Sequence, residues 1–330
     1  MNFDEALDKA LQQEDWSGKR QTNIPQRKAS ITTALQWEPA VPMDETLCRD
    51  GLHHFLAPSF FKTLTDLTLS NRSFTVVLRT FGTDLEEVQA AINSFAEGRH
   101  PRASCQHPDC HVLALPSSRM WVGRYGVQDE GEGERERERE GDEGGQCSDK
   151  KGNTPSHTSA GNFSLRSMTR TSGTDTVTVT DTDSTLSEEW VTDEEAVLAA
   201  LELRHLKQGT VACGDHYHWW RQHNYSPWAG KPLWITENDD SVHHIFFDDN
   251  IHNCANDSIV AVRWRERVGD PFQPLSGEAT RAVHGLHTVR VQSCEAYLDE
   301  DYFLKRIAEC EQEWTLRRQQ RVDKVGQKQD

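Results

Sequence analysis

The chain has 330 residues, of which 53 are acidic and 36 basic, giving a formal net charge of −17 with only 35% hydrophobic residues. The acidic balance excludes non-specific nucleic-acid binding, which needs a basic surface, and no run approaches the ~18–20 consecutive apolar residues of a transmembrane helix. Eight cysteines, without the cationic and apolar parts of a signal peptide at the start, predict a cytoplasmic protein with reduced thiols and no membrane partner.

In chain order, NFDEALDKALQQ puts Phe3, Ala6, Leu7, Ala10 and Leu11 on one helical face, and residues 16–29 read as a polar linker. In SFTVVLRTFG a β-branched apolar run predicts a buried strand at Phe74–Leu78. Thr83 followed by Glu86 has the spacing of a capping box. The helix it would open carries Leu85, Val88, Ile92 and Phe95 and stops near Gly98.

Residues 127–189 differ in composition from their surroundings. Nine of these 63 residues are apolar, too few to offset the ordering entropy of a packed core, and fifteen acids face seven bases. The segment reads as a disordered acidic insertion, which accounts for −8 of the net charge.

Beyond it, Thr192 and Glu195 suggest a second capping box, ahead of a helix with Val197, Leu198, Leu201 and Leu203 that ends near Gly209. A strand in GTVAC, an aromatic stretch Asp215–Trp228 without clear period, a strand His244–Phe247, and strands in DSIVAVRW and HTVRVQSC follow. A terminal helix over Asp299–Arg321 carries Phe303, Ile307, Cys310 and Trp314. Strands alternate with helices, which predicts an α/β fold with a parallel sheet. The expected organisation is an N-terminal helix and linker (1–29), an α/β domain (30–126 and 190–315) interrupted by the insertion, and a basic tail (316–330).

Three constellations could carry chemistry. Thr80, Gly82 and Thr83 form a hydroxyl-rich turn between a strand end and a helix start, where free amides and the positive helix end suit an anion. The same residues also serve a plain turn and cap. Asp248 and Asp249 end a buried strand, where adjacent carboxylates repel unless a cation such as Mg²⁺ neutralises them. Asp249-Asn250 alternatively makes an Asx turn. Lys231, in WAGKPLW, would balance phosphoryl charge, or is a solvated loop residue.

Taken together and in this order, the three resemble motifs of the haloacid-dehalogenase-like (HAD) superfamily of phosphatases and phosphotransferases. The similarity covers roughly residues 30–126 and 190–295, carried by PSFFKTLTDL, SFTVVLRTFGTDL, NSFAEGRHP, WAGKPLW and HHIFFDDNI. It implies a doubly wound, mostly parallel sheet and a Mg²⁺-dependent site acting on a phosphorylated small molecule or protein. By this resemblance Thr80 and Gly82 hold the phosphoryl group, Lys231 offsets its charge, and Asp248 and Asp249 bind the metal.

The family's Asp-x-Asp-x-Thr nucleophile motif has no counterpart before Thr80. A literal copy, Asp181, Asp183 and Thr185, falls in the insertion after the second motif and would need a permuted chain order. The chain is therefore expected either to lack its first strand or to be a catalytically impaired relative.

Other readings compete. A non-enzymatic protein-interaction module would make contacts through the insertion. Structural zinc, the weaker reading, would draw on Cys105, His107, Cys110 and His111, on Cys213, His216 and His218, or on His243, His244, His252 and Cys254, but no second clean cysteine pair accompanies the first. Trp219, Trp220, Trp228 and Trp234 are expected to cap the sheet edge, or to stack on a ring or partner.

Overall fold

The computed structural model describes residues 3–13, 24–102, 108–126, 163–168, 190–251, 258–275 and 278–326. In chain order these form α1 (Phe3–Gln13), α2 (Ile24–Leu35), α3 (Pro58–Leu69), β1 (Phe74–Thr80), α4 (Leu85–Ala96), β2 (Met120–Tyr125), β3 (Phe163–Ser167), α5 (Glu194–Glu202) and β4 (Gln208–Gly214). There follow α6 (Tyr217–Gln222), β5 (Lys231–Thr236), β6 (Phe246–Asp248), β7 (Val260–Arg265), β8 (Gln273–Pro274), α7 (Glu278–Arg281), β9 (Thr288–Arg290), α8 (Ser293–Leu298) and α9 (Tyr302–Gly326). Among the described residues no helix is long and apolar enough to cross a membrane.

The fold is mixed α/β, and its strands divide among three sheets rather than one. The first has order β1-β4-β2-β3. β1 and β4 run parallel, in register from Phe74 opposite Gln208 to Thr80 opposite Gly214. β4 and β2 are also parallel, and β3 is antiparallel to β2. In the second sheet β5 and β7 are parallel with a short antiparallel β8, and the third is the parallel pair β6 and β9.

Periodicity explains the packing. One face of β1 (Phe74, Val76, Leu78) meets Phe61 and Leu64 of α3 and Leu85, Ile92 and Phe95 of α4 in one core cluster. Each fully buried side chain among them contributes about 1.5–3 kcal/mol on leaving water. A second cluster joins Val197, Leu198 and Leu201 of α5 to Val211 and Cys213 of β4 and to Phe163 and Leu165 of β3.

The structure corrects several sequence expectations. The linker over 16–29 gives way to α2 from Ile24. Its Ile31 and Leu35 pack on Leu7 and Leu11 of α1 and Cys294 of α8, so this helix depends on tertiary burial more than on its own weak apolar stripe. Neither capping box forms as spaced. α4 starts after Asp84, whose side chain makes no cap hydrogen bond, whereas α5 is capped by Asp193, whose carboxylate accepts from the Ala196 amide at 2.9 Å. α5 ends on Leu203 in the left-handed region (φ 49°), leaving Gly209 inside β4.

The predicted disorder of 127–189 fails at Phe163–Ser167. Phe163, Ser164 and Leu165 are buried against β2 and α5. A five-residue strand barely moves the composition of a 63-residue window, so the average concealed it. Apart from Met168, the remainder of that segment, with Asp181, Asp183 and Thr185, lies outside the described residues.

Candidate functional site

Parallel pairing brings the carboxyl ends of β1 and β4 side by side. The amide of Asp215, just beyond β4, donates to the Thr80 carbonyl at 2.6 Å. The turn after Thr80 closes on the threonine hydroxyl, which accepts from the Gly82 amide at 2.8 Å and donates to Asp84 Oδ1 at 3.1 Å. A Cβ at position 82 would come within 2.8 Å of Asp84 Oδ1 and 3.1 Å of Thr80 Oγ1, so a larger residue there would displace the side chains that close the turn. The polar groups predicted to face an anion are thus present, and here they bind one another.

Lys231 opens β5. It is buried, 5% exposed, and its ammonium donates to Asp248 Oδ2 at 2.9 Å and to the Arg79 carbonyl at 3.4 Å. It also lies over the Phe81 ring, 5.1 Å from the centroid. Position 230 must be glycine, because a Cβ there would reach 2.2 Å from the Ile259 carbonyl oxygen. That close approach seats the start of β5 against β7, where the Lys231 amide donates to Ile259 O at 2.7 Å. The alternative of a solvated loop lysine is excluded by its burial.

Asp248 ends β6. Its second oxygen accepts from the Asn250 amide at 2.9 Å, so an Asx turn does form, but on Asp248 instead of Asp249. Asp249 accepts from the Asn250 side-chain amide at 2.9 Å. Burial pushes the Asp249 carboxyl above its usual range, and the charge of Asp248 adds to the effect. The pair is short of positive charge even with Lys231 beside it.

Three of the sequence-derived elements, the turn at Thr80, Lys231 and the Asp248-Asp249 pair, therefore meet at one place. The chain matches no family model, no curated protein and no solved structure. What the site can do has to be argued from its own chemistry.

Two neighbours were not singled out from the sequence. Arg79 and Asp215 form a buried pair, their side chains 6% and 1% exposed. Arg79 Nε donates to Asp215 Oδ2 at 2.8 Å, Nη2 to the other oxygen, and Nη1 to the Pro232 carbonyl at 3.1 Å. An arginine inside an otherwise apolar strand is the available signal, since a buried cation must be paired. The Arg79 guanidinium also lies 5.6 Å over the ring of Phe163 from β3, so part of the predicted insertion walls the site.

The candidate zinc ligands do not converge. Cys110 is disulfide-bonded, which overturns the expectation of uniformly reduced thiols, while Cys48, Cys213, Cys294 and Cys310 are thiols. His216 accepts from the Tyr125 amide at 3.2 Å, His244 pairs with Glu202 at 2.6 Å, and His243 stacks on Trp314 at 4.8 Å. His111 and His218 are exposed; Cys105, His107, His252 and Cys254 lie outside the described residues. Among the described residues no group of three or more His, Cys, Asp or Glu side chains could hold a metal ion.

The tryptophans separate. Trp234 is buried in β5 with its indole donating to Glu194 at 2.7 Å, and Trp219 stacks on Tyr125 with Trp228 edge-on to it. Trp220 stacks on Phe81, next to Thr80.

Proposed function

We propose that this chain binds the phosphoryl group of a phosphorylated small molecule or protein, as a HAD-like phosphatase or an impaired relative of one. The observation that carries the reading is Lys231, whose ammonium spans the Arg79 carbonyl beside Thr80 and the Asp248 carboxylate. In this reading the Thr80 hydroxyl and the Gly82 amide exchange their mutual hydrogen bond for phosphoryl oxygens, and Lys231 offsets the added negative charge.

Asp248 and Asp249 suit Mg²⁺, which takes one or two carboxylates and keeps several waters. The raised Asp249 carboxyl is the kind of group a cation would relieve. When bound, Mg²⁺ would supply charge neutralisation at the phosphoryl oxygens.

Covalent turnover needs a free carboxylate nucleophile. Of the acids touching the Thr80 strand end, Asp84 accepts the threonine proton and Asp215 has both oxygens bound by Arg79. That observation favours a second reading, a non-enzymatic module that recognises a phosphorylated partner without cleaving it.

Purified chain with Mg²⁺ is tested for p-nitrophenyl phosphate hydrolysis and, by calorimetry, for phosphate binding, alongside Asp248→Asn and Thr80→Val. Phosphate binding that weakens in both variants supports the site; hydrolysis in addition selects the phosphatase. Equal behaviour of wild type and both variants defeats the assignment.

A further inference from the structure

We infer that the group attached to the phosphoryl is a planar aromatic one, received by the rings of Phe81, Tyr217, Trp220 and Tyr225. The inference rests on the phosphoryl-binding reading above and adds the class of ligand to it.

The chain places these rings at the site by two short local steps. Phe81 directly follows Thr80, and α6 begins two residues beyond Asp215, so the ends of β1 and β4 bring both segments to one place. Phe81 and Trp220 are stacked, centroids 5.0 Å apart and planes at 19°. Tyr217 meets Phe81 edge-on at 5.8 Å, and Tyr225 meets Trp220 edge-on at 5.0 Å. The Lys231 ammonium lies over Phe81, so the charge for the phosphate and the apolar array for its substituent are continuous.

Phe81 and Trp220 also pack against the core cluster of Leu233 and Ile235, and three further observations mark the array as a binding surface as well. First, Tyr217 and Tyr225 are 37% and 44% exposed, large rings left at the surface beside a buried lysine. The adjacent rings of Trp219, Tyr125 and Phe163 are not left exposed. Second, Asn224 and Tyr225 both take positive φ (53° and 58°), a conformation that is costly for a bulky residue and that accumulates where a site dictates it. Third, the buried indole N–H of Trp220, like those of Trp121 and Trp219, has no hydrogen-bond partner among the described residues, and of the three it is the one in the array, where a ligand acceptor would satisfy it.

Ring edges and faces at these spacings favour another ring over an alkyl chain, because offset and edge-on contacts add attraction beyond area burial. The expected gain is about three- to tenfold in affinity.

The test uses the full chain with Mg²⁺ and compares phenyl phosphate, glycerol phosphate and inorganic phosphate by calorimetry. Phenyl phosphate should bind about three- to tenfold tighter than glycerol phosphate. Tyr217→Ala with Tyr225→Ala, both at exposed positions, should bring the two esters to equal affinity. In parallel, 4-nitrophenyl phosphate should quench tryptophan fluorescence, with the quenched fraction reduced in Trp220→Phe, which keeps a stacking ring. Equal affinity of wild type for both esters, with inorganic phosphate still bound, overturns the aromatic inference and leaves the phosphoryl reading standing. Failure to bind any of the three overturns both.

Discussion

Lys231 and Asp248 meet at 2.9 Å in the interior, one at the start of β5 and the other at the end of β6. Because the same ammonium reaches the Arg79 carbonyl on β1, one side chain joins all three sheets. The contact is thus a structural junction as well as the centre of the candidate site, and the two roles make separable predictions.

Lys231→Met keeps much of the side-chain bulk and removes the cation, leaving Asp248 and Asp249 buried together. Breaking a buried pair from one side costs ~3–5 kcal/mol. Urea unfolding should show that loss, with part of it recovered in the Lys231→Met, Asp248→Leu double variant, which removes both charges of the pair. A single variant as stable as wild type would mean that solvent reaches the pair.

Arg79→Lys tests the neighbouring ion pair. Arginine holds both oxygens of Asp215 and the Pro232 carbonyl together, a fork that a lysine ammonium cannot reproduce. The substitution should destabilise by roughly 2–4 kcal/mol in spite of conserving charge. Indistinguishable denaturation midpoints would show that charge alone, and not the bidentate geometry, holds Asp215.

Much of this was legible in the sequence, and the failures have identifiable causes. The β-branched run at Phe74 and the apolar faces of α1, α4 and α5 follow from periodicity, which burial then enforces. Thr80 and Asp248 were legible as residue types at the ends of expected strands, whereas no strand was expected at Lys231, which opens β5. Patterning could not show the convergence of the three, which depends on which strands pair; only the family resemblance implied it. Asp215 shows the limit: CGDHYH drew attention to its cysteine and histidines, whereas the aspartate matters through Arg79, which lies 136 residues away. α2 was hidden because its burial comes from α1 and α8, and β3 because five residues vanish in a long polar average.

β3 gives a direct test of that last point. Leu165 is fully buried in the cluster with α5 and β4, although it stands in a segment whose composition predicts disorder. Leu165→Ala should cost ~2–5 kcal/mol, the range for a large-to-small change in a packed core. A thermal midpoint within experimental error of wild type would mean that β3 does not belong to the cooperative fold.

Acid should destabilise the protein before the carboxylates of Glu38 and Asp44 protonate. Burial is the main cause holding the imidazoles of His100 and His287 neutral, pushed down from 6.5 to about 3 and about 4. His54 and His243 are shifted in the same direction, again chiefly by burial. Below pH 6.5 the unfolded chain takes up protons on these residues and the native state does not. Their contribution to stability is therefore complete above that pH and declines as the pH falls toward the native values. Each histidine adds a slope of up to about 1.4 kcal/mol per pH unit. The carboxylates of Glu38 and Asp44 are shifted down, so their loss sets in only below 4.5 and 3.8. Urea midpoints measured from about pH 7.5 to about pH 5 read the histidines against the opposing contribution of the raised Asp249 carboxyl, and His100→Phe, which retains a ring against Phe61, should reduce the slope. The same slope in that variant would show that His100 takes up its proton as readily in the folded protein as in the unfolded chain.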